Sequence, residues 1–295
     1  MFVIKLRGGL GNQMFQYALA KSLMLSTGQQ VFLDASFSHY SSETKRSYVI
    51  DCFRLDQKIQ FIDTAHLPWV LRDPATDLLK KIFIKLRLRQ LFTKDWRYVL
   101  EMTNGYNSEI KAMSGSIYLE GYWQTEAYFQ DYRQSISADF SLVNTSPGFV
   151  RLADNIKASP AISLHVRRGD YATSPSVQAQ HNLCSLEYYQ QAIKLIKAKV
   201  SQPKFFVFSD DPDWALANLP LATHELELVY DHGLTDPEEL ISMSYCQHHI
   251  IANSSFSWWG AWLNQKTNKI VIAPKQWFRH GPAPLDLIPS SWLTI

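Results

Sequence analysis

The sequence is poor in cysteine and carries little net charge. Its three cysteines, Cys52, Cys184 and Cys246, are odd in number and lack the spacing of metal ligands. They favour buried thiols in a reducing compartment over a disulfide framework or a zinc site. A formal net charge of +2 over 295 residues gives no case for a nucleic-acid partner.

Long apolar runs are also missing. None approaches the roughly 20 residues that span a bilayer, and the first residues, MFVIKLRGG, lack the apolar core of a signal peptide. In the stretch 78–92 five Lys or Arg residues interleave with apolar ones. It is either an ordinary helix with a solvated basic face or a basic amphipathic helix on an anionic membrane. We expect a soluble cytoplasmic protein, with peripheral contact at the inner face of the membrane as the alternative.

Short apolar strands alternate with helices in the first part of the chain. Residues 2–6 predict a strand, and the apolar spacing after a glycine-rich turn predicts a helix that ends at Gly28. With a second strand at 30–34 this is a βαβ unit, typical of an α/β domain with a parallel sheet. The stretch 36–115 predicts helices alone, and a further strand is expected at 117–120.

The second part of the chain alternates more regularly. From residue 161 onward, five apolar strands are separated by helices. This pattern predicts a doubly wound parallel sheet, whose ligands bind beyond the carboxyl ends of the strands. A proline-containing stretch at 141–160 separates the two patterns. We therefore predict an α/β protein of two Rossmann-like domains, 1–150 and 151–295, which face each other across a cleft.

Two adjacent arginines stand at the tip of the first strand of the second part, in AISLHVRRGDY at 161–171. Arg167 and Arg168 fall where the ligand crevice of such a sheet lies. A planar guanidinium matches phosphate oxygens and keeps its charge, and Asp170 is placed to hold an arginine or the loop. The pattern fits a phosphate site, and it fits an inter-domain salt bridge on a tight turn equally well.

Another strand of this half passes into a helix at Asn253, Ser254 and Ser255. Exposed N–H groups and the positive end of a helix dipole make such a junction an anion site. The same residues are also the ordinary caps of a helix. The two uses are compatible, because a capping hydroxyl can also face a phosphate.

The stretch FSDDPDW at 208–214 supplies acids to a third strand tip. Asp210 or Asp211 can accept hydrogen bonds from the edge of a nucleobase, guanine in particular. The Asp211-x-Asp213 spacing is also found in metal-dependent sugar-nucleotide enzymes. The structural alternative is that these acids cap a helix that begins at Pro212.

The N-terminal turn RGGLGNQ resembles a dinucleotide fingerprint only in part. It has Gly9 and Gly11 but a methionine in place of the third glycine. The glycines still allow close approach to a diphosphate, and Asn12 can hydrogen-bond a hydroxyl or phosphate. Asp34 ends the second strand about where a dinucleotide fold carries its ribose-binding acid, which keeps a dehydrogenase among the candidates.

Three blocks together resemble a known family. GGLGNQMFQYALAKSL at 8–23, HVRRGDY at 165–171 and IIANSSFSWWGAWL at 250–263 are similar to the bacterial α-1,2-fucosyltransferases of glycosyltransferase family 11. FFVFSDD and GYWQTEAYF fit the same family, so the resemblance extends from end to end. It implies a GT-B fold of two Rossmann-like halves. It also implies inverting transfer of L-fucose from GDP-β-L-fucose to the 2-hydroxyl of a galactoside, which forms an α-1,2 linkage.

The resemblance also implies roles for individual residues. The H-x-R-R-x-D pattern of related fucosyltransferases is matched at 165–170. In those enzymes the first arginine contacts the donor diphosphate, a role that falls to Arg167, and Asn12 matches a further important position. The expected donor-binding residues are Gly9, His165, Arg168, Asp170, Ser209, Asp210, Asn253, Ser254, Ser255 and Phe256.

The acceptor side is less defined. Single-step inversion needs a base for the proton of the acceptor hydroxyl, and Asp34 and Glu120, both at strand tips, are the candidates. Tyr122 and Trp123 can stack on the acceptor sugar or serve as core aromatics.

The resemblance also implies that no cofactor or metal is required and that GDP-fucose is the donor substrate. Without a metal, Arg167 and a helix N-terminus are the candidates that stabilise the departing diphosphate. The expected partners are GDP-fucose and a galactose-containing oligosaccharide or glycolipid. Two other interpretations remain open. One is a metal-dependent glycosyltransferase built on the Asp211-x-Asp213 spacing, and the other is a nucleotide- or glycan-binding module without catalysis.

Overall fold

A computed structural model describes residues 1–36, 49–72, 95–101, 105–169, 183–278 and 286–295. It divides into two compact units, Met1–Ser141 and Leu142–Ile295. The basic stretch 78–92 and Asp170 lie outside the described residues.

The N-terminal unit is built on a parallel sheet of five strands in the order β3-β2-β1-β5-β4. The strands are β1 Phe2–Lys5, β2 Val31–Asp34, β3 Gln60–Phe61, β4 Trp96–Leu100 and β5 Ser116–Glu120. The helices are α1 Leu10–Thr27, α2 Trp69–Arg72 and α3 Arg133–Asp139. β1 pairs with β2 on one side and with β5 on the other. The order of the strands therefore reverses between β1 and β5.

The helix predicted after the glycine-rich turn is confirmed as α1. Its side chains are buried from Leu10 to Leu23 with few exceptions. It ends at Gly28, which adopts the left-handed conformation at φ 67° and donates its N–H to the carbonyl of Met24. Glycine is favoured at this position because it has no Cβ to clash there.

The expectation of helices alone at 36–115 is wrong, because β3 and β4 fall within that stretch. β4 has the sequence WRYVL and pairs with β5 along its whole length. Aromatic and β-branched residues are typical of strands. Tyr98 of β4 stacks on Tyr118 of β5, with ring centroids 6.1 Å apart. This cross-strand packing, which a single segment does not display, stabilises the strand.

The C-terminal unit has a parallel sheet of six strands in the order β11-β10-β9-β6-β7-β8. They are β6 Ala161–Val166, β7 Lys204–Ser209, β8 Leu226–Leu228, β9 His248–Ile250, β10 Val271–Ala273 and β11 Leu293–Thr294. The helices are α4 Pro147–Lys157, α5 Leu186–Lys197, α6 Pro212–Asn218, α7 Asp236–Tyr245 and α8 Ser255–Leu263. The five predicted strands are present, and the two-residue β11 is a sixth that sequence patterning misses.

Counted along this unit, the strand order is 3-2-1-4-5-6, which is the order of dinucleotide-binding folds. Every residue of the central strand β6 is buried. The order reverses between β6 and β9, and open α/β sheets bind ligands outside the carboxyl ends of the strands at such a point. The blocks HVRRGDY and IIANSSF, which carry the family resemblance in this unit, begin in the last residues of β6 and β9.

A hydrogen-bonded chain of Ser163, His249 and Asn264 lies inside the core of this unit. The amide of Asn264 is 2.8 Å from Nε2 of His249, and Nδ1 of that ring is 2.7 Å from the Ser163 hydroxyl. Because the amide donates to Nε2, the proton of the ring sits on Nδ1. All three side chains are buried, and burial lowers the pKa of His249 well below its ordinary value. The chain is a structural link between β6, β9 and the end of α8.

Within the part of the chain that the structure describes, none of the helices combines the length and the apolar character that crossing a bilayer requires.

Candidate active site

Arg167 and Arg168 emerge from the carboxyl end of β6 and meet the acids that follow β7. Nη1 of Arg167 lies 2.8 Å from Oδ2 of Asp210. The other oxygen of this carboxylate accepts the backbone N–H of Arg168 at 2.7 Å. A Cβ at position 169 would lie only 2.7 Å from Asp210 Oδ2. Glycine therefore follows the two arginines because the aspartate occupies the space of a side chain.

Arg168 is held from two sides. Its Nε lies 3.1 Å from Oδ2 of Asp211, and its guanidinium carbon lies 4.2 Å from the centroid of the Trp214 ring. The other oxygen of Asp211 caps α6 by accepting the N–H of Trp214, while its own N–H donates to Ser209 Oγ at 3.0 Å. The capping interpretation of Asp211 is confirmed. Ser209 orders the same strand tip.

The two arginines differ in what they can offer a ligand. Arg168 is packed on a ring and bonded to a capping residue. Arg167 pairs with Asp210, and the two side chains are 31% and 25% exposed. A partly exposed ion pair of this kind contributes little stability. Arg167 can therefore exchange its aspartate for the oxygens of a phosphate at small cost.

The tip beyond β9 divides into a buried and an accessible part. Asn253 is 1% exposed, and its amide donates to the carbonyl of Trp277 at 3.0 Å. Its Oδ1 accepts the Cys184 thiol at 3.5 Å. Ser254 is the N-cap of α8 and accepts the N–H of Phe256. The cap interpretation thus holds for Ser254, and Asn253 fixes the turn from inside.

His165 lies beneath this junction, on β6. It is 6% exposed, and its ring centroid is 5.8 Å from that of Phe256. Burial, assisted by the charge of Arg167, lowers the pKa of His165 to about 3. Its Nδ1 has no hydrogen-bond partner among the residues that the structure describes. His165 is therefore a neutral ring whose buried Nδ1 lacks a partner among the described residues.

Sequence reasoning missed Glu239, in the first turn of α7. Burial, together with the carboxylates of Asp236 and Asp210, raises the pKa of Glu239 to about 7. A strongly perturbed carboxyl beside a strand-tip cluster is typical of a functional position. A sequence signal existed, because Thr235-x-x-Glu238 is a capping box and assigns Glu238 to the cap. Glu239, the next residue, lies outside this capping box.

The structure describes no group of three or more His, Cys, Asp or Glu side chains, within its described ranges, that could hold a metal ion. Asp211, one of the two acids whose spacing suggested a metal site, caps α6 and binds Arg168.

In the N-terminal unit two amide side chains of α1 hold the glycine-rich turn. Gln13 donates to the carbonyl of Gly8 at 3.0 Å. Gln16 accepts the N–H of Arg7 at 2.9 Å and donates to the carbonyl of Gly121 at 3.0 Å. These bonds tie the turn after β1 to the turn after β5, at the reversal of the strand order.

Asn12 and Gly9 sit at the start of α1. Oδ1 of Asn12 accepts a hydrogen bond from the Gln124 amide at 2.7 Å. Gly9 is the N-cap, with no side-chain cap and no acidic residue in the first turn of the helix. The positive end of the helix dipole is therefore not offset by a carboxylate of its own first turn.

Both candidate bases, Asp34 and Glu120, already bind other side chains of the protein. Asp34 is fully buried and accepts the hydroxyl of Tyr118 at 2.5 Å and the N–H of Ser36 at 2.9 Å. Glu120 lies 3.2 Å from Lys5 Nζ, 3.5 Å from Arg7 Nη1 and 3.0 Å from the hydroxyl of Tyr98. Both carboxylates bind strands of the sheet together, and this geometry favours neither as the base.

The aromatic pair after β5 also divides into two roles. Tyr122 is 38% exposed, and the guanidinium carbon of Arg7 lies 5.0 Å from its ring centroid. Trp123 is 1% exposed and packs edge-on against Tyr128. The core interpretation is therefore confirmed for Trp123 alone, and Tyr122 keeps an accessible ring.

Comparisons with known proteins find relatives along most of the chain. The α-1,2-colitosyltransferase of Escherichia coli is 32% identical over 298 residues, which cover 99% of this chain and 98% of that protein. The mouse galactoside 2-alpha-L-fucosyltransferase Sec1 is 24% identical over 273 residues, covering 89% of this chain and 64% of that protein. Both are similar to this chain across its two units.

Solved structures support the fold. The NodZ alpha-1,6-fucosyltransferase co-crystallised with GDP superposes with a TM-score of 0.52 at 18% identity, covering 88% of this chain and 91% of that one. The predicted α/β fold of the GT-B type, with two parallel sheets, is confirmed. The model of the family described as glycosyl transferase family 11 matches residues 1–281. The protein is therefore a glycosyltransferase and belongs to glycosyl transferase family 11.

Proposed function

We propose that the protein transfers L-fucose from GDP-β-L-fucose to the 2-hydroxyl of a galactoside, with inversion and without a metal ion. The observation that supports this most directly is Arg167, a half-exposed guanidinium at the reversal of the C-terminal sheet. A cation there offers a metal-free site for a diphosphate. Asp210, at the tip of β7, holds that guanidinium.

The reaction breaks the bond between the anomeric carbon and the oxygen of the β-phosphate. The acceptor hydroxyl oxygen forms the new bond from the opposite face, and its proton leaves to a base. Negative charge grows on the β-phosphate as GDP departs. In the proposed mechanism Arg167 releases Asp210 and binds this charge, assisted by the first turn of α8.

Glu239 is the carboxyl that we assign to the guanine base. Asp211 caps α6 and binds Arg168, and Asp210 still accepts the backbone N–H of Arg168 when Arg167 releases it. The N1–H and N2–H₂ groups of guanine form two parallel donors, which match one carboxylate. Donation by guanine would stabilise the ionised Glu239, which burial otherwise disfavours.

A second donor has a specific observation in its favour, because the E. coli relative at 32% identity is an α-1,2-colitosyltransferase. Colitose is L-fucose without its 3-hydroxyl. A site that hydrogen-bonds this hydroxyl would reject the GDP-colitose donor by a factor of about 10⁴–10⁵, whereas an apolar pocket would discriminate by only about 10². The ratio of kcat/KM for the two donors therefore decides between them.

The test is transfer from GDP-fucose and from GDP-colitose to a panel of β-galactosides, with EDTA present throughout and the products mapped for linkage. An α-1,2-linked fucose product in EDTA is expected. Arg167→Lys should lower kcat by about 10²–10³, because an ammonium cannot reproduce the paired donors of a guanidinium. Arg151→Lys, on an exposed face of α4, is the matched control and should leave kcat unchanged.

Three results would contradict the proposal. Activity that vanishes in EDTA and returns with Mn²⁺ would favour a metal-dependent transferase. A product of another linkage would replace the stated reaction. Full activity of Arg167→Lys would remove Arg167 from the chemistry.

A further inference from the structure

The turn after β5 contains a strained tryptophan. Trp123 has φ 57°, which places it in the left-handed region. A bulky residue rarely adopts this conformation, because its Cβ crowds the following carbonyl oxygen. Such strain persists only where the surroundings impose it, and it concentrates at functional sites. The outlier therefore calls for a physical cause.

The cause is the carboxylate of Glu101, one residue beyond β4. Its Oε2 accepts the N–H of Tyr122 at 2.6 Å, and the N–H of Trp123 lies 3.0 and 3.1 Å from Oε1 and Oε2. One carboxylate thus gathers two successive N–H groups, which forces the chain to curl. Charge-assisted bonds of this kind are stronger than neutral ones.

Three further contacts fix the conformation of this turn. A Cβ at Gly121 would lie 2.4 Å from Cβ of Glu101, so only glycine admits the glutamate at this distance. On the other side, Gln16 binds the Gly121 carbonyl and Gln124 binds Asn12. The turn is therefore fixed by β4 on one side and by α1 on the other.

What the turn displays is the ring of Tyr122. The N–H of Tyr122 is bonded to Glu101 and the neighbouring Trp123 is buried, yet Tyr122 itself is 38% exposed. Arg7 lies 5.0 Å from its centroid. The C–H face of a sugar packs on an aromatic ring, while an adjacent cation donates to hydroxyl groups. The ring stands at the carboxyl edge of the sheet where the strand order reverses, which is where ligands of such sheets bind.

We propose that Tyr122 is the platform for the acceptor sugar and that Glu101 is its positioning residue. The class of ligand, a β-galactoside, rests on the proposed function. Glu101 does not touch the sugar. It holds the Tyr122–Trp123 turn in the strained conformation that presents the ring.

The first test separates acceptor binding from the rest of the reaction. Glu101→Gln, which offers one acceptor oxygen and an amide that repels the N–H groups, should raise the KM for lactose at least tenfold. The KM for GDP-fucose should stay within twofold of wild type. Glu109→Gln, an exposed glutamate of the same unit, removes the same charge and should change neither constant. A general loss of structure would move both constants together or lower kcat alone.

The second test needs no turnover. Saturation transfer by NMR from the aromatic protons of the protein to lactose should be observed for wild type, Tyr122→Phe and Glu109→Gln. It should be lost in Tyr122→Ala and reduced in Glu101→Gln. Phenylalanine keeps the ring face and alanine removes it, so this pair isolates the platform.

The two tests distinguish the proposals. Lactose signals with the expected pattern but no transfer from any donor would refute the proposed function and leave the acceptor platform intact. Transfer with an unchanged lactose KM in Glu101→Gln would overturn the platform alone. A lactose signal that survives Tyr122→Ala, or one that is absent from the wild type, would also overturn it.

Discussion

Two adjacent glutamates of α7 should respond to the same substitution with opposite signs. Burial beside Asp236 and Asp210 raises the pKa of Glu239 from its ordinary 4.5 to about 7. Between these values the folded chain holds a proton that the unfolded chain has lost, so stability falls as pH rises. Glu239 therefore lowers the free energy of unfolding by about 1 kcal/mol at pH 5 and by about 3 kcal/mol at pH 7. Glu239→Gln should remove this destabilisation.

Glu238 has the opposite environment. Although burial opposes the shift, the N–H groups of Thr235 and Ser146 lower the pKa of Glu238. They lie 2.9 and 2.5 Å from its carboxylate. The stabilisation is complete above the ordinary pKa of 4.5 and is lost only as pH falls through the lower folded value. Glu238→Gln should therefore destabilise the protein by about 1–3 kcal/mol at neutral pH.

Urea unfolding of both variants and the wild type at pH 5 and pH 8 measures these differences. Glu239→Gln should be more stable than wild type by about 3 kcal/mol at pH 8 and by about 1 kcal/mol at pH 5. Glu238→Gln should be less stable at both. The reasoning fails if the two variants shift stability in the same direction, or if the gain from Glu239→Gln is the same at both pH values.

Two further substitutions test contacts elsewhere in the chain. Lys21→Met should destabilise the protein by about 3–5 kcal/mol, because the buried Lys21 Nζ lies 2.6 Å from Asp56 and 2.8 Å from Asp139. If urea unfolding shows a loss below about 1 kcal/mol, these two carboxylates do not need the Lys21 cation for stability. Gly169→Ala should weaken GDP binding about 10–100-fold in calorimetry, because its Cβ would meet the Asp210 carboxylate; unchanged affinity would show that the carboxylate moves freely.

Much of the fold follows from patterns that lie within single segments. α1 and β6 were predictable because each is a continuous apolar pattern bounded by its own signal, Gly28 for the helix and the arginines for the strand. β4 was not, because WRYVL is short and owes its place to packing on β5. The two-residue β11 has no pattern of its own at all.

The site shows the same division. The position of Arg167 at a strand tip was predictable from the order of elements. Its pairing with Asp210 joins residues more than forty positions apart, and no local pattern reports which acid meets which arginine. The strain at Trp123 is still harder to foresee, because it depends on Glu101 reaching across from a neighbouring strand. Sequence patterns place residues at an edge, and contacts between strands decide their roles.

The amide clamp on the glycine-rich turn has a consequence for the response to ions. Gln13 and Gln16 carry no charge and do not titrate, so the turn that they hold keeps its shape across buffers in which the chain stays folded. The arginine–aspartate pairs of the C-terminal unit are partly exposed, and salt screens such charges over about 8 Å at physiological ionic strength. Salt should therefore weaken these arginine–aspartate pairs more than it disturbs the amide clamp on the glycine-rich turn.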